Sequence, residues 1–165
     1  MIAAPIPAND ADRLQALREL LLLDTPPEQR FDRIIAFAAE EFDMPTVLLS
    51  LVDENRQWFK ARTGMDSCET PRNVSFCAHA ILADDILLIP DTHLDSRFAN
   101  NPLVTGKPFI RFYAGAPLQP KPGLRVGTLC LIDSKPRQLD ATDLAILSSL
   151  RDLVQGEMLG QPVDG

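Results

Sequence analysis

An amphipathic stretch near the N-terminus constrains the fold more than any other feature of the sequence. Thr25, Pro26 and Glu28 have the spacing of a helix start, with threonine as N-cap, proline at the first helical position and glutamate closing a capping box. The apolar residues that follow recur every three or four positions, and they are Phe31, Ile34, Ile35, Ala38, Ala39 and Phe42. Such a stripe must pack against a flat apolar surface, which we expect to be a β-sheet.

Two pairs of β-rich runs can supply that sheet. The first pair is PTVLLSLVD and RQWFKART, which Glu54 and Asn55 separate, and the second is FIRFYAGAPL and VGTLCLID, which QPKPG separates. Each pair predicts an antiparallel hairpin, and ILLIP adds a short buried strand. A helix over 10–23 and another from near Asp140 flank these strands. Hairpins between terminal helices predict an α+β fold.

Length, composition and charge indicate one domain. The 165 residues fit a single core, with residues 1–9 and 160–165 expected to be flexible tails. The N-terminus lacks signal-peptide features, and three cysteines without a CxxC pattern indicate reduced thiols, so we predict a cytoplasmic protein. A net charge of -7 opposes binding to nucleic acid or to an anionic membrane surface, and no apolar run has membrane-spanning length.

The stretch VSFCAHAIL places Cys77 and His79 in one short segment. Ser75 is expected to cap a short helix that runs to about Ala83. Residues two apart on a helix do not share a face, so Cys77 and His79 cannot act together on one atom. Cys77 is expected to be a buried structural cysteine, although its place in the first helical turn leaves thiol chemistry open. His79 either bonds a backbone carbonyl or faces a ligand.

Six segments, in order and at the usual separations, make the chain resemble a GAF domain. They are LLLDTPPEQRFDRI, LVDENRQWFKARTG, ETPRNVSFCAHAIL, IPDTHLDSRFANNPLV, IRFYAGAPL and GTLCLID. The resemblance is to the subgroup found N-terminal in bacterial sensor histidine kinases and diguanylate cyclases, and it covers nearly the whole chain. It implies an antiparallel sheet of five to six strands, with the terminal helices on one face and loops and a short helix over a small-molecule pocket on the other.

The resemblance also implies a function in bacterial signal transduction. It implies a sensor rather than an enzyme, with an unidentified small molecule as ligand and a kinase or cyclase output domain in trans. The cyclic-nucleotide signature of the family is missing, and Ala78 separates Cys77 from His79 where bilin-binding members have the two side by side. The cofactor is therefore unknown. We predict no catalytic residue and no metal site, since His93 lacks a second histidine and regular ligand spacing around it.

The candidate ligand site lies where a strand near residue 110 meets the loop over 91–108. Arg111 and Tyr113 share a strand face with Gly115, and a guanidinium suits a carboxylate or phosphate. An equal alternative pairs Arg111 with Asp91 or Asp95 to hold the loop over the sheet. The full set of predicted ligand-binding residues is Arg111, Tyr113, His79, Phe76, Asp91, Phe98, Phe109 and Cys77.

Two other functions stay open at this point. A redox enzyme similar to free methionine sulfoxide reductase would use Cys68 or Cys77 as its nucleophile. A ligandless dimerisation module would fill the pocket with its own side chains and have no cavity beside Arg111.

A homodimer through the terminal helices is expected, because one buried helix face cannot hold the four consecutive leucines of 20–23.

Overall fold

The computed structural model describes residues 1–160, and its centre is an antiparallel sheet in the order β3-β2-β1-β6-β5-β4. The strands are β1 (Thr46–Val52), β2 (Arg56–Thr63), β3 (Glu69–Pro71), β4 (Leu87–Ile89), β5 (Phe112–Leu118) and β6 (Gly127–Asp133). The helices are α1 (Asp10–Glu19), α2 (Gln29–Glu41), α3 (Cys77–Ala80), α4 (Pro102–Thr105) and α5 (Ala141–Met158). The predicted α+β class, both hairpins and the terminal helices are confirmed.

One face of the sheet carries the three long helices. Side chains of α1, α2 and α5 form one apolar cluster with β1, β5 and β6. The stripe of α2 behaves as predicted, since Phe31, Ile35 and Ala38 are buried against the sheet. The start of α2 differs from the prediction. Thr25 does not cap it, because its hydroxyl donates to the Leu22 carbonyl and accepts from Lys60.

The leucine run of 20–23 corrects one sequence argument. Helix α1 ends at Glu19, and Leu21 has a φ of 55°, so the run forms a turn rather than a helix face. Leu22 is buried in this turn while Leu21 is 80% exposed. The four leucines therefore do not need a second subunit to cover them, and the homodimer has to be argued from other surfaces.

The opposite face of the sheet is covered by residues 72–111, which we call the cover segment. Apart from β4, which is the edge strand of the sheet itself, it holds only short elements, namely α3, α4 and 3-10 turns at Arg72–Val74 and Thr92–Leu94. Helix α3 is shorter than the predicted 75–83, although Ser75 does accept a hydrogen bond from the Ala78 amide at 3.1 Å. Strand β3 was not predicted, because three residues show no periodicity. Apolar side chains under the cover segment form a second cluster.

The N-terminal segment also contacts the cover segment. The Ile2 amide donates to the Arg97 carbonyl at 3.1 Å, and Ala4 packs against the second cluster. Flexibility of residues 1–9 stays a prediction, and the other predicted tail lies outside the described residues beyond Gly160. Across residues 1–160, no helix combines the length and apolar content needed to cross a bilayer.

A buried ionic cluster joins α1 to the start of the cover segment. Asp10 accepts hydrogen bonds from Arg13 Nε at 2.8 Å and from both terminal nitrogens of Arg72 at 2.9 and 3.0 Å. Arg13 also donates to the Val52 carbonyl at 2.7 Å. Burial opposes ionisation of Asp10, but the hydrogen bonds from Arg72 and Arg13 hold its pKa below the ordinary value. Two buried guanidiniums thus depend on one carboxylate.

Replacing Asp10 should therefore be costly. Asp10→Ala leaves Arg13 and Arg72 without their counter-ion, and we expect a loss of about 3 kcal/mol in the free energy of unfolding at pH 7. Urea denaturation measures it. The control is Asp12→Ala, an exposed position on the same helix, where we expect a change within about 0.5 kcal/mol.

The same pair of variants has a defined pH dependence. A carboxyl whose folded pKa is depressed stabilises the fold above its unfolded pKa and loses that contribution as the pH falls through the folded pKa. The deficit of Asp10→Ala should be complete at neutral pH and shrink below about pH 4. Equal losses for the two variants, or a deficit independent of pH, would contradict the role of Asp10.

Candidate functional site

The candidate site is the centre of the cluster between the sheet and the cover segment. Cys77 lies there on α3, and the sheet surrounds its sulfur with polar groups. The Tyr113 hydroxyl donates to Cys77 Sγ at 3.1 Å, and the Thr128 hydroxyl donates at 3.0 Å. Cys130 Sγ lies 4.0 Å away. Strands β5 and β6 thus present three polar side chains to one sulfur.

These contacts change the acidity of the Cys77 thiol. Burial alone favours the neutral thiol, but the polar side chains of Cys130, Ser50, Thr128 and Tyr113 outweigh it and lower the pKa of Cys77 to about 7. Burial and the proximity of Cys77 act in the opposite direction on the pKa values of Tyr113 and Cys130, which are raised. The contacts of Cys77 therefore favour its thiolate form.

Gly115 explains why the tyrosine can reach the sulfur. Tyr113 and Gly115 lie two residues apart on β5 and so face the same side of the sheet. A Cβ at Gly115 would collide with the hydroxyl and ring of Tyr113. The ring thus lies across the glycine, on the strand face where the sequence predicts a ligand site. The protein fills this space with its own side chain.

Little free space remains beside Cys77. The cavity has a volume of about 20 Å³ and is lined by residues such as Cys77, Phe76, Tyr113 and Gln57. Roughly 10–15 Å³ is enough for one water molecule. Nearby, the Ser50 hydroxyl is completely buried. It faces Cys77 and lowers the pKa of that thiol, but it makes no hydrogen bond of ordinary length and angle among residues 1–160. In this conformation the site accommodates a molecule of one or two heavy atoms.

Aromatic rings form the roof of the site. Phe76 stacks on Phe98 with a centroid distance of 4.4 Å and lies 5.2 Å from the ring of Tyr113. His79 meets Phe98 edge-on at 4.8 Å. Its Nε2 lies 2.9 Å from the Ile2 carbonyl, and burial lowers the pKa of His79. This is one of the two arrangements that the sequence left open for His79.

The other predicted ligand-binding residues lie apart from Cys77. Arg111 precedes β5 and forms an ion pair with Asp91 at 3.1 Å, and Asp91 also caps the turn at Thr92–Leu94. Phe109 is 51% exposed. Of the predicted residues, Cys77, Tyr113 and Phe76 line the cavity. Phe98 and His79 join them only through ring contacts above it, and Arg111, Asp91 and Phe109 also lie outside the lining.

Three polar residues of the site were missed from the sequence. Ser50 and Thr128 pair across β1 and β6, and Cys130 lies two residues further along β6. A serine in TVLLSLV and a threonine in GTLCLID are polar side chains within otherwise apolar strands, which is the signal that was available. Their convergence on Cys77 depends on strand register.

A larger groove of about 490 Å³ lies elsewhere, between α2 and β2. Lys60 lines it, but its ammonium group bonds Thr25, Pro26 and Glu28. We therefore do not regard this groove as the principal site. Within residues 1–160, no three His, Cys, Asp or Glu side chains cluster in a way that could hold a metal ion.

Comparison with known proteins gives a family match and a close relative. A family model described as GAF domain matches residues 26–157. A cyclic di-GMP phosphodiesterase of Pseudomonas aeruginosa is 42% identical over 159 residues, which are 96% of this chain and 27% of that protein. The chain thus spans about a quarter of the length of this relative.

Solved structures show the same fold. The GAF domain of an Acinetobacter phosphoenolpyruvate-protein phosphotransferase has a TM-score of 0.65 and 15% identity, covering 96% of this chain and 99% of that one. A type II free methionine-R-sulfoxide reductase from Thermoplasma acidophilum has a TM-score of 0.63 and 17% identity, covering 92% and 99%. At these identities the likeness concerns the fold alone.

The relative corrects one expectation from the sequence. We predicted that the chain is not an enzyme, but the relative that matches 96% of the chain has the name of an enzyme, a phosphodiesterase. The prediction from the resemblance alone was therefore wrong.

A substitution that adds one methyl group at Gly115 tests the position of the Tyr113 ring. Gly115→Ala forces the Tyr113 ring out of its place, and we expect a loss of about 2 kcal/mol in the free energy of unfolding, measured by urea denaturation. The control is Gly156→Ala on α5, where an added Cβ meets nothing within 4 Å. There we expect a gain of about 1 kcal/mol, because alanine favours helix. A neutral Gly115→Ala would mean that the ring does not occupy this space.

Proposed function

Because the chain belongs to the GAF domain family, we propose that it is a regulatory domain of bacterial cyclic di-GMP signalling that senses a small molecule beneath its cover segment. The observation that carries the proposal is the set of hydrogen-bonding groups buried around Cys77. Buried polar groups cost free energy unless they are paired, so a cluster of them inside an apolar site favours recognition of a polar ligand. The Ser50 hydroxyl, which makes no hydrogen bond of ordinary length and angle within residues 1–160, supports this reading.

Binding of a ligand larger than two heavy atoms requires the cover segment to move. The cavity of about 20 Å³ lies between Phe76 of the cover segment and Tyr113 of β5, so such a ligand has to separate these two rings. The cover segment suits this movement because its helices have only four residues each. A ligand that binds the open form shifts the population towards it.

The ionic cluster offers a route from the site to the helices. Arg72 begins the turn that precedes α3 and bonds Asp10 at the start of α1. Movement of α3 therefore changes the position of Arg72 relative to α1. The signal passes only if ligand binding energy differs between two arrangements of the helices.

The outer faces of α2 and α5 provide a surface for a homodimer. A groove of about 340 Å³ between them is lined mainly by apolar side chains, including Phe37, Ile34 and Leu153. Phe37 is 53% exposed and Leu153 is 38% exposed. Packing against the same groove of a second copy covers both, as in the isologous contact of a two-fold dimer. The homodimer is therefore proposed on the groove between α2 and α5 and not on the leucines of 20–23.

The relative suggests the output of this domain. It is named for degradation of cyclic di-GMP, so the partner that fits this chain best is a domain of cyclic di-GMP turnover, whether in the same protein or in trans. This choice differs from the kinase or cyclase partner expected from the sequence, because a phosphodiesterase is neither of these. A cytoplasmic location fits, because all three cysteines are free thiols.

The small cavity also supports a second candidate, a dimerisation module without a ligand. The third reading, a methionine sulfoxide reductase, fits this conformation poorly. A whole amino acid does not fit into about 20 Å³.

Native mass spectrometry of the protein purified from cells tests the proposal. We expect a dimer with one small compound per subunit, released on denaturation. Phe37→Glu places a charge in the groove and should convert the dimer to monomer, a change of at least about tenfold in the dissociation constant. Leu94→Glu is the control, since Leu94 is 86% exposed on the cover segment and should leave the dimer intact.

The presence of a bound compound separates the two candidates, and the oligomeric state tests the dimer that both require. A dimer without any bound compound would support the ligandless module and contradict sensing. A monomeric wild-type protein would contradict signalling through paired helices.

A further inference from the structure

The two buried cysteines form a pair at the centre of the site. Cys77 and Cys130 are free thiols with Sγ atoms 4.0 Å apart, and their exposures are 2% and 0%. The third cysteine, Cys68, is exposed. A disulfide requires an S–S distance of about 2.05 Å, so the two sulfurs would have to approach by about 2 Å. Because they come from α3 and β6, the bond would join the cover segment to the sheet.

The cavity beside Cys77 selects for a very small reactant. Its volume is about 20 Å³, and half-exposed residues at its rim are Met65, Thr70 and Leu103. A molecule of two heavy atoms, such as hydrogen peroxide, is of the size that this space admits. Organic hydroperoxides with bulky substituents are too large for it.

The surroundings of Cys77 favour nucleophilic attack. The thiolate is the reactive form of a cysteine, and the hydroxyls of Tyr113 and Thr128 donate to this sulfur. The Ser50 hydroxyl belongs to the same group of side chains around the sulfur and makes no hydrogen bond of ordinary length and angle among residues 1–160.

We propose that Cys77 and Cys130 form a dithiol site that hydrogen peroxide oxidises to an intramolecular disulfide. Cys77 loses its proton, and the thiolate attacks one peroxide oxygen. The S–O bond forms, the O–O bond breaks, and the departing hydroxide takes up the proton to leave as water. Cys130 then attacks Cys77, the S–S bond forms, the S–O bond breaks, and the hydroxyl leaves as water with the proton of Cys130. Two thiols are oxidised by two electrons and one peroxide is reduced to two waters.

This site goes beyond ligand sensing and does not depend on it. Oxidation removes Cys77 as the acceptor for Tyr113 and Thr128 and ties α3 to β6 covalently. It would act on the same segment that a ligand has to move.

The test uses the full chain with Cys68→Ser, which removes the exposed thiol. After treatment with hydrogen peroxide, the protein is denatured and alkylated, and its mass is measured by mass spectrometry. We expect loss of the mass of two hydrogens, no alkylated thiol, and a linked peptide pair containing Cys77 and Cys130. Near-ultraviolet circular dichroism of Trp58 checks that the protein stays folded.

Further variants in the same background assign the roles. Cys130→Ser should trap Cys77 as a sulfenic acid that a dimedone-type probe captures, and Cys77→Ser should leave Cys130 unreacted. Tyr113→Phe should slow oxidation by about tenfold at neutral pH, because a hydrogen bond to a charged acceptor is lost. Cumene hydroperoxide should react at least about tenfold more slowly than hydrogen peroxide, because the cavity excludes it.

Three results would overturn the proposal. One is full alkylation of both cysteines after peroxide treatment of the folded protein. Another is oxidation that proceeds at the same rate in Cys77→Ser. The third is equal rates for cumene hydroperoxide and hydrogen peroxide, which would mean that the thiols react through unfolding rather than through the cavity.

Discussion

The hydrogen bond from the Tyr113 hydroxyl to Cys77 is the contact on which the site depends. It crosses from the sheet to α3, and the bond from Ser75 to Gln57 at 2.6 Å reinforces it at the start of the same helix. A buried hydroxyl without a partner is costly, so Tyr113 favours the closed position of α3. Any process that removes Cys77 as an acceptor weakens this preference. Ligand entry and thiol oxidation both act on this one bond.

The two faces of the sheet have different roles, since one stabilises the fold and the other carries the candidate site. On one face, long helices bury large apolar side chains such as Phe31, Leu17 and Leu147. On the other, the cover segment relies on short elements and individual side-chain contacts. Regions with little regular structure open at lower free energy than the core. The fold thus provides a rigid platform on the side of α2 and α5 and a movable cover over Cys77.

Much of the sheet and of its long helices could be predicted from the sequence, because the spacing of apolar residues indicates these elements. The stripe from Phe31 to Phe42 required a sheet, and the turn residues between the apolar runs required hairpins. Strand β3 and the turn at Leu21 could not be predicted, since three residues have no period and a left-handed leucine has no sequence signal. The expected cap at Thr25 failed because Lys60, distant in sequence, competes for its hydroxyl.

The site was predicted only in part for a related reason. Cys77, Tyr113 and Phe76 were found because they belong to one helix and one strand. Ser50, Thr128 and Cys130 reach the site through strand register, which a single sequence does not fix. Of the two arrangements predicted for Arg111, the structure contains the ion pair with Asp91. The close packing of the Tyr113 ring over Gly115 depends on a side-chain rotamer, which a sequence pattern does not predict.

Hydrogen exchange measured by mass spectrometry on Tyr113→Phe and the wild type tests the central claim most directly. If Tyr113 holds the cover closed, the amides of α3 should exchange faster in the variant while those of α5 keep their protection. Unchanged exchange in α3, or an equal increase in both helices, would contradict the view that this bond controls the cover segment.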